Sequence, residues 1–438
     1  MWRAPLLVAI GVAQQPSRPV FNDVRQFNGD QTMVEWKAGP LWPIVFYQPT
    51  TPVIPPDARA DFERSFAAAD AEMRARFRAL QERAAPSRVL LLRWNKWGLY
   101  CSWNALVRAL LWALASNRTL CLLEADPSPP VRQGEPPWPY HPSVEYERRH
   151  NCSGLRCYVD FPVAELWPPA CASAVRGGGA AAGAAAGAAT VSATQHFKVS
   201  AYDPVMCGAA TRFDAASLGT TRAGFVPGAL ANLSAALGGR WDEPTLRSVV
   251  TRWMFEAPSA ATRAFLAWRA RELALPADFV AVHIRWGDKT AKETQRINAS
   301  EYVAAARLFA PDEARRDLFV ATTSPQALAD VRAHARAGER IFATNASHLP
   351  DELSGTSENI WLSHSLKREE NFLEAFADVW NIIQSRGAVL TLSSNMGRWV
   401  WFHNLLEIRL GRQQIKLLDS FGSQASFLGK YPPQACNY

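Results

Sequence analysis

Between residues 279 and 407 the chain alternates short apolar runs with longer amphipathic stretches, and this alternation constrains the fold more than any other feature. The runs are FVAVHIR (279–285), LFVATT (318–323), RIFAT (340–344) and AVLTLS (388–393). Each has the length of a strand, and in the first Val280, Val282 and Ile284 lie on one face with Ala281, His283 and Arg285 on the other. Between and after them, residues 299–309, 325–337, 369–384 and 397–407 carry apolar residues at helical spacing. Strand–helix alternation of this kind predicts a doubly wound α/β domain.

The same pattern occurs once upstream. Residues 89–93 are a short apolar strand, 97–100 a loop, 102–115 a helix and 119–123 a second buried strand. That is one β-loop-α-β unit, the start of another parallel sheet. The expected organisation is a Pro-rich extended arm and a helix over 14–85, a first α/β domain over 86–275, and a second over 276–438. The first domain contains a low-complexity insert, RGGGAAAGAAAGAAT (176–190). The arm's helix spans 57–85, with Asp57 as cap and Phe62, Phe66, Met73, Phe77 and Leu80 on one stripe. Helices over 245–274 are expected to bury Trp253, Phe255, Phe265, Leu266 and Trp268.

The ends of the chain's charge range exclude some partners. Net charge is +7, but Lys and Arg are scattered and form no run of five, so nucleic acid is not the expected partner. MWRAPLLVAIGVAQQ has a positive start, a short apolar core and small residues up to Ala13, the pattern of a secretory signal over 1–13. It is shorter than the roughly 20 residues a spanning helix needs, so any membrane association through it is peripheral. Five sequons, at Asn117, Asn151, Asn232, Asn298 and Asn345, fit a secretory route. Among seven cysteines, Cys152, Cys157, Cys171 and Cys207 are expected to form two disulfides, and Cys121 to be a free core thiol. Their spacing does not match zinc, and no Asp-x-Asp pair is present, so the expected site holds no metal.

Three strand ends carry unusual polar groups: 283–293, 322–324 and 393–398. The first run is core until Ile284, then reads Arg285-Trp-Gly-Asp288-Lys289, with Glu293 beyond. The last reads Ser393-Ser394-Asn395 and then a helix with Arg398 one turn in. Helix-opening N–H groups, hydroxyls and the planar fork of Arg285 together suit a diphosphate. Gly98 precedes the helix of the upstream unit, where a helix N-terminus could also meet a phosphate. A transferase using a nucleotide-diphosphate sugar must stabilise its leaving group and deprotonate its acceptor. Arg285 suits the first task and Glu293 or Asp288 the second, with Lys289 holding the carboxylate ionised.

His283-Ile-Arg285-Trp-Gly-Asp288-Lys289-x3-Glu293, with Tyr302 nine residues on, resembles the donor-site motif of the core α1,6-fucosyltransferases and their bacterial chitin-oligosaccharide relatives. The likeness extends to Ala321-Thr322, Pro325, Asp378 and the Ser-Ser-polar strand end, and covers about 90–124 and 278–405. It implies a GT-B-like fold of two α/β halves, the second Rossmann-like. It implies GDP-fucose as donor, no cofactor or metal, inversion at the anomeric carbon, and a glycan or glycoprotein acceptor in the Golgi or secretory lumen, with the N-glycan core GlcNAc foremost. Arg285 would bind the β-phosphate, and His283 with Asp378 the guanine. Ser394, Asn395 and Gly98 would surround the diphosphate. Glu293 would be the base, partnered by Lys289. The chain departs from the family at Trp286, where a second arginine is common, and at Thr323-Ser324, where an acidic pair is. Another acceptor, or a silent glycan-binding protein on the same fold, are the alternatives these departures raise.

Overall fold

The computed structural model describes residues 23–27, 31–35, 53–83, 89–93, 99–123, 142–166, 171, 189–192, 232–238, 241, 243–286, 296–309, 317–344, 368–391 and 394–418. The chain forms two compact units, residues 1–45 and 46–438. In the first, β1 (Asp23–Phe27) pairs antiparallel with β2 (Gln31–Glu35). An extended arm was the expectation for this stretch. Asn28-Gly29, a strong hairpin-turn dipeptide, stands between the two strands and is the signal for their pairing.

The second unit begins with α1 (Arg59–Arg83), whose stripe Phe66, Met73, Phe77 and Leu80 is buried. Each such side chain contributes about 1.5–3 kcal/mol by leaving water. Thr119 at the start of β4 (Thr119–Leu123) donates its hydroxyl to the Leu80 carbonyl at 2.7 Å, tying the helix to the smaller sheet. In that sheet β3 (Val89–Arg93) lies between β4 and β5 (Ala189–Ser192), all parallel, and α2 (Leu99–Ser116) joins β3 to β4. Disulfides join Cys121 to Cys171 and Cys152 to Cys157. Cys121 is therefore not a free thiol. It sits on a strand whose partner, Cys171, only the fold brings near. The short α3 (Val144–His150) precedes the second disulfide.

Helices α4 (Glu243–Glu256) and α5 (Ala260–Leu273) lead to the larger sheet. On α5, Trp268 is 45% exposed and Arg269 is buried instead, reversing the expectation for that tryptophan. The Arg269 guanidinium lies 4.6 Å from the Trp268 ring and pairs with Glu272 and Glu374, which compensates a buried charge.

The larger sheet contains β6 (Val280–His283), β7 (Asp317–Ala321), β8 (Arg340–Phe342), β9 (Gly387–Leu390) and β10 (Gln414–Leu417). All pair parallel, in the spatial order β10-β9-β6-β7-β8. The chain steps outward from β6 through α6 (Ala299–Arg307) and α7 (Pro325–Ala333). It then returns by α8 (Arg368–Gln384) to the other side of β6, and α9 (Asn395–Arg409) leads to β10. The direction of winding reverses between β6 and β9, and in such sheets the crevice beyond those two carboxyl ends is where ligands bind. Strand β10 was not expected from the sequence; its four residues lack an unbroken apolar run.

The pleat separates two cores. Val280, Val282 and Ile284 pack with Tyr302, Val303 and Val331. Ala281, Phe319, Ala321 and Leu390 pack toward Phe376, Ala377 and Trp399, in a cluster that continues to Phe66, Trp103 and Leu120. The fold is α/β, with two parallel sheets sharing this second core.

Candidate functional site

The two central strand ends are held together by hydroxyls. Thr391, just past β9, donates to the His283 carbonyl at 3.0 Å. That hydroxyl has one proton, so the contact of 2.6 Å with Tyr302 must have the tyrosine O–H as donor. Tyr302 thus reaches from α6 to pin β9 against β6. Ile284 N–H donates to the Ala321 carbonyl at 3.0 Å, carrying the pairing one residue beyond β6 toward β7.

His283 closes β6 on the face of Ala281, the side on which α8 and α9 lie. It is buried, and its Nδ1 has no protein hydrogen-bond partner among the described residues. Burial, reinforced by the nearby Arg285 charge, pushes its pKa down to about 3. The ring is therefore neutral at physiological pH and can both donate and accept. Arg285 follows on the same side and donates from Nη1 to the Thr323 hydroxyl at 3.2 Å. Thr323, one of the two departures from the acidic pair, thereby orients the arginine. Ser324, the other, caps α7 by accepting from Ala327 N–H at 3.1 Å.

Trp286 is also built in. Its ring is buried, its Nε1 donates to the Ile297 carbonyl at 2.9 Å, and the Arg296 guanidinium stacks 4.1 Å from its centroid. A cation is thus held beside the position where the resembling motif carries its second arginine.

Across the crevice, Ser394 is the N-cap of α9, but its hydroxyl makes no capping bond. The first-turn N–H groups of a helix have no intrahelical acceptor, and this turn contains no acidic side chain. Asn395 is engaged sideways. Its Oδ1 accepts from Arg398 Nη1 at 3.0 Å and from Asn104 Nδ2 of α2 at 3.3 Å. Gly397 is required by close approach: a Cβ there would lie 2.0 Å from the Thr391 carbonyl oxygen and 3.4 Å from His283 Nδ1. Arg398 is fully buried.

Asp378 projects from α8, on the same side of the sheet as His283, and accepts from the Thr344 hydroxyl at 2.7 Å. Burial raises its pKa to about 7, against the opposing pull of the Thr344 bond and Arg269. Of the residues marked in the sequence, the fold places His283, Arg285, Ser394 and Asn395 around the β6–β9 crevice. Asp378 lies on the flanking helix. Asp288, Lys289, Glu293 and Gly98 lie outside the described residues. Sequence reasoning passed over Asn104, Thr344, Thr391 and Gly397; Gly397 within the first turn of a helix was the readable sign, since glycine is unfavourable there without a packing reason.

No protein-family model matches the chain, and no curated protein does. Solved structures similar to it include fucosyltransferases. NodZ from Bradyrhizobium is 14% identical, with 72% of this chain and 92% of that one covered and a TM-score of 0.34. A variant of FUT1 from Arabidopsis thaliana in complex with GDP is 10% identical, with 79% and 78% covered and a TM-score of 0.41. POFUT1 in complex with GDP is 10% identical, with 76% and 99% covered and a TM-score of 0.37.

Proposed function

We propose that the protein is an inverting glycosyltransferase that moves fucose from GDP-fucose to a glycan, foremost the N-glycan core GlcNAc through an α1,6 linkage, in the lumen of the secretory pathway. The observation that carries this reading is the meeting of His283 and Arg285 with the Ser394–Asn395 helix start at the winding reversal of the sheet. The sequence motif from His283 to Glu293 supplies the donor class.

In this reading the Arg285 fork, aimed by Thr323, grips the β-phosphate, and the first turn of α9 faces the remaining charge. Neutral His283 offers a hydrogen bond to the base, and Asp378 completes that end. Glu293 takes the proton of the acceptor hydroxyl as its oxygen attacks the anomeric carbon. The bond from that carbon to the β-phosphate oxygen breaks, and GDP leaves with the electron pair. Lys289 keeps the carboxylate ionised between turnovers. Charge on the leaving group is met by Arg285, and the reaction needs no divalent ion.

The test is to incubate the protein with GDP-fucose, EDTA and a biantennary N-glycan ending in GlcNAc, and to weigh the glycan. A gain of one deoxyhexose is expected, and Glu293→Gln should lower turnover by about 100-fold or more. Full turnover in Glu293→Gln would remove the base assignment. No mass gain with GDP still bound would remove the acceptor, and no GDP binding would remove the whole reading.

A further inference from the structure

The chain enters α6 through Asn298, and this residue has features that fit neither packing nor the crevice chemistry. It is the N-cap of α6, yet its side chain makes no capping bond. Asparagine is among the best N-caps, and Ser143, Ser259 and Ser324 all cap their helices through the side chain. Asn298 is exposed, and so is Ser300, the hydroxyl residue of its sequon. Three other sequons are differently placed, and the one at Asn345 lies outside the described residues. The Thr119 hydroxyl of the Asn117 sequon is buried against Leu80, and Ser234 of the Asn232 sequon accepts from Trp241 N–H. Cys152, inside the Asn151 sequon, is bonded to Cys157.

The two disulfides belong to an oxidising compartment, the one in which sequons are modified. We propose that Asn298 carries an N-linked glycan standing on the rim of the β6–β9 crevice. The transfer uses a lipid-diphosphate oligosaccharide and its membrane transferase. The Asn298 amide nitrogen bonds to the anomeric carbon, the carbon–phosphate-oxygen bond breaks, the lipid diphosphate leaves with the electron pair, and the transferase's base takes the amide proton. The rim position follows from connectivity. Trp286, three residues past β6, donates to the carbonyl of Ile297, so Asn298 lies at the carboxyl edge of the sheet. If the fucosyl-transfer reading holds, on which this consequence rests, such a glycan limits the side from which an acceptor reaches the crevice.

The full chain is expressed in a eukaryotic secretory host and the peptide containing Asn298 is mapped before and after amidase release of N-glycans. Conversion of Asn298 to aspartate by the amidase is expected, as is loss of one oligosaccharide's mass in Ser300→Ala with GDP binding unchanged. Asn298→Gln gives a second, independent removal. An unmodified Asn298 in the wild-type protein overturns the proposal, whatever the variants do. Occupancy is read by mass alone. A glycosylated Asn298 without fucosyl transfer would sink only the activity, and transfer with a bare Asn298 only the glycan.

Discussion

Two turns at the carboxyl edge of the large sheet look alike in sequence and behave differently. Each leaves a strand, passes a serine N-cap and enters a helix: β7 to α7 through Ser324, and β9 to α9 through Ser394. At the first, the Ser324 hydroxyl accepts from Ala327 N–H, its own N–H donates to the Thr322 hydroxyl, and Pro325 removes a donor that would need an acceptor. The turn satisfies itself. At the second, the Ser394 hydroxyl caps nothing, while Thr391 turns back to hold His283 and Asn395 is drawn sideways by Asn104 and Arg398. A self-satisfied cap is scaffold. A turn whose side chains are spent on neighbouring elements leaves the first-turn N–H groups of its helix without a side-chain cap.

The contrast can be broken most severely at Gly397. Gly397→Ala drives a Cβ into backbone at Thr391, so α9 must shift; unfolding in urea should show a loss of about 3 kcal/mol, with GDP affinity falling alongside. Unchanged stability would mean that α9 is not seated against the strand end. Next in size, Arg285→Lys keeps the charge but removes the fork, and kcat/KM for GDP-fucose should drop by about 100-fold. An equal kcat/KM in the lysine variant would show that bidentate geometry is not used. Smaller still is the pair of serines. Ser324→Ala should reduce stability by about 1 kcal/mol, while Ser394→Ala should leave stability within error and weaken GDP binding. Equal stability losses at both would erase the distinction between the turns.

The smallest effect near neutrality is in pH. His283 and His403 are both pushed down to about 3 by burial, so their stabilising contribution is complete above 6.5 and is lost as pH falls toward 3. Asp378 works in the opposite sense. Raised from 3.8 to about 7, it stabilises below 3.8 and loses that contribution as pH rises through 7. Urea midpoints should therefore climb from acid to about pH 6.5 and then decline slightly. Asp378→Asn should abolish the decline and keep the climb; a decline that persists in this variant would place the titrating group elsewhere.

Much of the fold was legible because parallel strands announce themselves by unbroken apolar runs. Strands β6 and β8 fall within runs read from the sequence, β7 and β9 each begin one residue before theirs, and the junctions of these strands with helices held the polar residues singled out. The hairpin of β1 and β2, strand β5 at the end of the stretch read as a low-complexity insert, and the edge strand β10 were missed, since short, half-polar strands depend on a partner for their identity. Trp268 was misread because a helix's buried stripe is set by what packs against it, here Glu374 and Glu272 around Arg269.

What the sequence determined by itself was therefore local: the period of each element, the turn chemistry, and the concentration of His283, Arg285, Ser394 and Asn395 at strand ends. What only tertiary structure decided was adjacency. The order β10-β9-β6-β7-β8 puts β9 beside β6, although the chain between them includes two further strands. Tertiary structure also pairs Thr391 with His283, Thr323 with Arg285, and, at the smaller sheet, Cys121 with Cys171. Periodicity is a property of neighbours along the chain, whereas a hydrogen bond between strand ends exists only after long-range packing has closed the loops between them.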